Sequence, residues 1–122
     1  PDKPGRLTSI DSIENNEAIF DVSPESFTDL EAILMNAGTI LWNGPLGFFE
    51  KENFDKGTIK IAKMICSSKG FSVAGGGDTI SAAQKAGVLG KLDYVSTAGG
   101  AFLEFMEGRK LPGVEALIDK VN

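Results

Sequence analysis

Short apolar runs alternate with longer amphipathic stretches along this chain. The runs are AIFDV (18–22), TILW (39–42), FSVA (71–74) and YVST (94–97). Each is apolar or small on both faces, the pattern of a strand covered on both sides. Between the runs the period lengthens to that of a helix. Ser23 can cap a helix with Pro24 at its first position, Phe27, Leu30, Leu34 and Ala37 recur at helical spacing, and Gly38 ends the element. A second helix follows NFDKG, with Phe54, Thr58, Ile61 and Ile65 on one face, Lys56, Lys60 and Lys63 pointing elsewhere, and Gly70 as its stop signal. A third runs from near Asp78 to Gly87 and a fourth from near Gly100 to Gly108. A last, from about Pro112, shows Val114, Leu117, Ile118 and Val121. The first 17 residues are polar and irregular apart from a candidate short strand around Leu7 to Ile10. Four repeats of strand, turn and helix predict an α/β fold: a three-layer open parallel sheet with helices on both faces, Rossmann-like.

Composition narrows the function classes. The 122 residues are 42% hydrophobic and 24% charged, which fits one globular domain or a piece of one. The formal net charge of -5 argues against a nucleic-acid partner. No cluster of Lys and Arg suggests a membrane surface, and no apolar stretch reaches the roughly 18 residues of a membrane span. The opening PDKPGRLTS does not have the shape of a signal peptide. One cysteine, Cys66, excludes an intramolecular disulfide framework and points to a reducing, cytoplasmic compartment. It reads as a small core residue beside Ala62. The chain has no histidine, which excludes Ser-His-Asp and Cys-His mechanisms and histidine-containing zinc sites within it.

In an open parallel sheet, ligands sit at the carboxyl ends of the strands. Here TILW leads into NGPLGFFE, FSVA into GGGDT and YVST into AGGA. Two of these glycine-rich turns open helices, whose first N–H groups are unpaired and carry the positive end of the dipole. Glycine lets an anion approach those amides closely. Asp78 stands where a hard cation bridging phosphates needs an oxygen ligand. The competing reading is that the glycines are close-packing turns and that Asp78 or Thr79 caps its helix. Trp42 reads as core, Asn43-Gly44-Pro45 as a turn, and Glu50 as either a solvated loop acid or an acceptor for ribose hydroxyls. Neither G-x-x-x-x-G-K-[ST] nor G-x-G-x-x-G is present.

WNGPLGFFE, GGGDT and STAGGAFLEFMEGRKLPGVEAL, in this order and spacing, resemble the phosphoglycerate kinase family over nearly the whole chain, most closely from Thr39 to Leu117. IFDVSPESF is similar to a further segment of that family, with Ser23 where glycine is usual. Ala98 replaces the first of three glycines, and Phe48 stands where a smaller aliphatic residue is usual. The resemblance implies a two-domain, hinge-bending, monomeric enzyme of glycolysis. It moves a phosphoryl group reversibly between 1,3-bisphosphoglycerate and ADP, giving 3-phosphoglycerate and ATP, with Mg²⁺. It implies that Asn43, Gly44 and Pro45 line the nucleotide cleft and that Glu50 binds the ribose. Gly75, Gly76, Gly77, Asp78 and Thr79 hold phosphates, with Asp78 on the metal side, and Gly99 and Gly100 offer amides to the phosphoryl group in transfer. Complete members are several times longer, so residues 1–122 correspond to the carboxy-terminal part of the nucleotide-binding domain, incomplete and without the acceptor-sugar domain. The glycine loops hold no Arg or Lys, as expected if the basic groups for two polyanions lie elsewhere. The chain alone is then expected to be inactive. Two other classes stay open: a non-catalytic nucleotide- or phosphate-binding module, and a structural fragment that folds only beside the missing part.

Overall fold

The structure, a computed structural model, describes residues 3–118. Three of the four apolar runs become strands. β1 (Thr39–Trp42), β2 (Phe71–Gly75) and β3 (Tyr94–Ser96) form one parallel sheet in the order β1-β2-β3. Thr39 pairs with Phe71 and Trp42 with Ala74, while Val73 pairs with Tyr94 and Gly75 with Ser96.

The fourth run, AIFDV, does not join the sheet, which corrects the expected four repeats to three. Its acid is the reason. The Asp21 carboxylate accepts the amides of Val22 (2.8 Å) and Gly57 (2.9 Å), and the Phe20 carbonyl accepts Phe48 N–H at 2.7 Å. A side chain that captures nearby backbone donors competes with a ladder, and this segment becomes a strap over the loop that follows β1. The candidate strand at 7–10 is likewise absent: Leu7 and Ile10 are exposed, and Ile10–Ser12 is a single 3₁₀ turn.

The helices fall close to where the pattern puts them. Ser23 accepts the Glu25 amide and Pro24–Phe27 forms a 3₁₀ turn that runs into α1 (Thr28–Asn36). Next come α2 (Lys56–Ser67), α3 (Gly77–Lys85), α4 (Gly100–Met106) and α5 (Pro112–Ile118). Lys60, expected to point away, instead donates to the Pro24 carbonyl at 3.0 Å. The two crossovers, through α2 and α3, step the same way across the sheet. Both helices pack on one face, as the usual right-handed connection of parallel strands requires. There Ile40, Trp42 and Ala74 meet Ile61, Ala62 and Ile65 of α2 and Ala82 and Ala83 of α3, flanked by Leu30 and Leu34 of α1. Cys66 packs at the margin of this core as expected, its thiol 3.9 Å from the Val88 carbonyl, and burial pushes its pKa up.

The opposite face is only partly covered. Phe102 of α4 packs there, its ring 6.5 Å from that of Tyr94. Leu41, Phe71 and Tyr94 stay 44%, 53% and 53% exposed, and Val114, Leu117 and Ile118 of α5 are exposed as well. Val121 lies outside the described residues. The α/β open sheet is therefore as expected, with its second helical layer incomplete. Among the described residues no helix is long and apolar enough to cross a membrane.

Candidate functional site

Because the strands are parallel, the loops that follow them meet at one edge of the sheet. Each turns at a glycine with positive φ: Gly44 (98°), Gly76 (93°) and Gly99 (55°). L-residues rarely adopt such backbone. Gly76 is where the three loops come together. A Cβ there would lie 3.5 Å from Asn43 Oδ1, 3.8 Å from Thr79 Oγ1 and 4.0 Å from Gly99 Cα. Its amide donates to the Ser96 carbonyl at 3.2 Å, tying the β2 loop to β3.

The loop after β1 has no ladder partner, so its polar backbone must be satisfied otherwise. Side chains do this along its length. The Trp42 indole N–H donates to Gly44 O at 2.8 Å, so this core residue also fixes the turn. Gly44 N–H donates to Thr79 Oγ1 at 2.7 Å, and that hydroxyl donates onward to Gly75 O at 2.6 Å. Leu46 and Gly47 N–H donate to Thr58 Oγ1 at 3.1 and 3.4 Å. Lys85 Nζ donates to Phe49 O at 2.5 Å and pairs with Asp55 Oδ2 at 2.9 Å. Thr58 and Thr79 are each 1% exposed. The Thr79 hydroxyl is thus engaged inside the protein.

The open groups of the site include backbone amides and the Asp78 carboxylate. The first bond into α3 is Ile80 N–H to Gly76 O, at 3.1 Å, which leaves the preceding amides of Gly77, Asp78 and Thr79 as first-turn donors. In α4, Ala101 and Phe102 N–H bond to Ala98 and Gly99 carbonyls, so the amides of Gly99 and Gly100 precede that ladder. A Cβ on Gly77 or Gly100 would meet nothing within 4 Å. Gly75 is different: a Cβ there would come within 2.8 Å of the Phe102 ring, so this glycine serves packing of α4 onto the sheet. Asp78 is exposed and makes no capping bond, and Gly76 occupies the N-cap. Of the alternatives open for Asp78, capping is therefore not the one realised.

Asn43, Gly44, Pro45, Gly75 to Thr79, Gly99 and Gly100 stand at this one edge, on the strand ends, the turns and the first turns of α3 and α4. Glu50 closes the β1 loop, exposed to solvent. A group of three or more His, Cys, Asp or Glu able to hold a metal is absent among the described residues. Asp78 is the exposed carboxylate of these loops that could hold a hard cation such as Mg²⁺. Pattern reading did not assign Asp21, Asp55, Thr58 and Lys85 to this region. Asp21 carried a signal, an acid inside an apolar run. The others gave none, because their partners are distant in sequence: backbone groups for Thr58, each other for Asp55 and Lys85, and the Phe49 carbonyl for Lys85 as well. A recess lined by Cys66, Lys69, Lys91 and Asp93 lies at the amino end of the strands, away from these loops. Its one carboxylate is already in use, with Asp93 accepting the Ser72 amide and hydroxyl at 2.7 Å. The strand-end shelf is therefore the better site.

The sequence profile of the phosphoglycerate kinase family matches residues 1–109. The fold is similar to that of phosphoglycerate kinase from Coxiella burnetii, at a TM-score of 0.81 and 46% identity, over 88% of this chain and 28% of that one. It is also similar to phosphoglycerate kinase from Pyrococcus horikoshii OT3, at a TM-score of 0.72 and 43% identity, over 82% of this chain and 24% of that one. The chain therefore spans only about a quarter of the length of these solved kinases. With its profile, its three-stranded parallel sheet and its glycine-turned strand ends in agreement, the chain belongs to the phosphoglycerate kinase family, as a fragment of it.

Proposed function

We propose that these residues form the carboxy-terminal part of the nucleotide-binding domain of a phosphoglycerate kinase. The polypeptide to which they belong would catalyse reversible phosphoryl transfer between 1,3-bisphosphoglycerate and ADP. The observation that carries this reading is the meeting of three glycine-turned loops at Gly76, beside two sets of open first-turn amides. Phosphoryl transfer asks a protein mainly for positioning and for charge stabilisation. A shelf of fixed amides supplies both. Gly77, Asp78 and Thr79 would hold nucleotide phosphates through backbone N–H groups. Asn43, Gly44 and Pro45 would line the nucleotide cleft, and the Glu50 carboxylate would accept ribose hydroxyls. Gly99 and Gly100 would donate to the phosphoryl oxygens as charge develops on them. The Asp78 carboxylate would hold Mg²⁺, which would supply neutralisation of phosphate charge. Acceptor binding is assigned to parts of the polypeptide beyond this sequence.

The test has two arms. Calorimetry of residues 1–122 with Mg-ADP is expected to show binding that weakens in Asp78→Ala. A coupled assay with 3-phosphoglycerate and ATP is expected to show no turnover by residues 1–122 and full turnover by the complete polypeptide. Turnover by the short chain would refute the division of labour, and an inactive complete polypeptide would refute the kinase reading. The exposed Leu41, Phe71 and Tyr94 favour a second reading, in which this piece is structural and binds nucleotide only beside the rest of the protein. Absent Mg-ADP binding by the short chain, with restoration in the complete one, would select it.

A further inference from the structure

We infer that Lys85 and Asp55 form a latch that positions Glu50, and so sets affinity for the sugar of a nucleotide; this rests on the proposed role of Glu50. Glu50 itself is exposed. The peptide just before it is held hard. Phe49 is buried in the core, its carbonyl accepts Lys85 Nζ at 2.5 Å, and the flanking turn is closed by Lys51 N–H to Phe48 O at 3.0 Å. Lys85 is kept on that carbonyl by Asp55, 2.9 Å away, whose side chain is 8% exposed against 34% for Lys85. A buried carboxylate needs its partner charge, so Asp55 fixes where the ammonium sits, and the ammonium fixes the Phe49 carbonyl. Lys85 is also the last residue of α3, whose first turn carries Asp78 and Thr79. One helix therefore presents the phosphate-facing amides at its start and anchors the sugar-facing loop at its end. Lys85 is a positioning residue in this scheme and touches no ligand.

The test uses the complete polypeptide and two probes, Mg-ADP and Mg-2′,3′-dideoxy-ADP. Lys85→Met is expected to raise KM for ADP roughly five- to tenfold, part of what a charge-assisted contact contributes, with kcat within about twofold. KM for the dideoxy nucleotide, which lacks the hydroxyls Glu50 would accept, should stay at the wild-type value. Lys85→Met/Asp55→Asn removes the stranded buried charge and should show the same selectivity with a melting temperature nearer wild type. Equal losses for both nucleotides in both variants would mean that Lys85 serves stability alone, and the latch would be wrong. If Glu50→Gln raises KM for ADP while the Lys85 variants do not discriminate, the latch fails and the ribose reading survives. If Glu50→Gln leaves KM for ADP unchanged, both fall together.

Discussion

Gly100→Ala separates a catalytic amide from a packing glycine. Gly100 is the first residue of α4, lies outside the positive-φ set, and a Cβ built there meets no heavy atom within 4 Å. The folded state therefore accommodates alanine without strain or clash. Replacing glycine at such a position typically stabilises by about 0.4–1 kcal/mol, because the unfolded chain loses freedom. The melting temperature should stay level or rise. Catalysis should move the other way. The open space beside Gly100 is where the phosphoryl oxygens would come, and a methyl group there would hold them off the amides of Gly99 and Gly100. Deleting a donor aimed at transition-state charge costs about 2.7–4 kcal/mol. Displacing one should cost up to the lower end of that range, or about 10- to 100-fold in kcat. The assay is steady-state turnover of the complete polypeptide with 3-phosphoglycerate and ATP, paired with thermal unfolding of the same sample. A variant that is at least as stable and loses turnover, with KM for nucleotide nearly unchanged, is the expected result. Full turnover would refute the catalytic role, and a lowered melting temperature would refute the claim that the space is open.

Asp78→Ala should lower kcat and weaken Mg-nucleotide binding with little change in unfolding free energy, since no capping bond is lost; calorimetry and urea titration check the two halves. Thr79→Val strands Gly44 N–H and Gly75 O, and should destabilise by about 2 kcal/mol in urea unfolding, whereas Thr79→Ser should stay close to wild type. Asp93 is held below the usual carboxylate range by the Ser72 amide and then by its hydroxyl. The stability it lends is complete above its ordinary value of 3.8 and is lost as pH falls through the lower folded value. Asp93→Asn should therefore flatten the acid limb of the melting curve, and an unchanged limb would exclude the linkage.

The pattern of residues was enough for the helices, for three strands and for the edge where the glycine-rich turns meet. Those features are local: a period near four, a proline after a capping serine, glycines at the ends of apolar runs. It was also enough to place Asn43, Gly76 and Gly99 at one edge, because parallel strands put all their carboxyl ends on the same side. It failed at AIFDV, where apolar content outweighed one acid. Whether Asp21 joins a ladder depends on Gly57 and on Phe48, both far along the chain. It also could not tell a capping Asp78 from a free one, or a phosphate-binding Thr79 from the buried hydroxyl that joins two loops. Those distinctions rest on single hydrogen bonds. Such a bond needs two atoms within about 3 Å, and residues some 35 positions apart reach that distance only once the sheet and helices have packed.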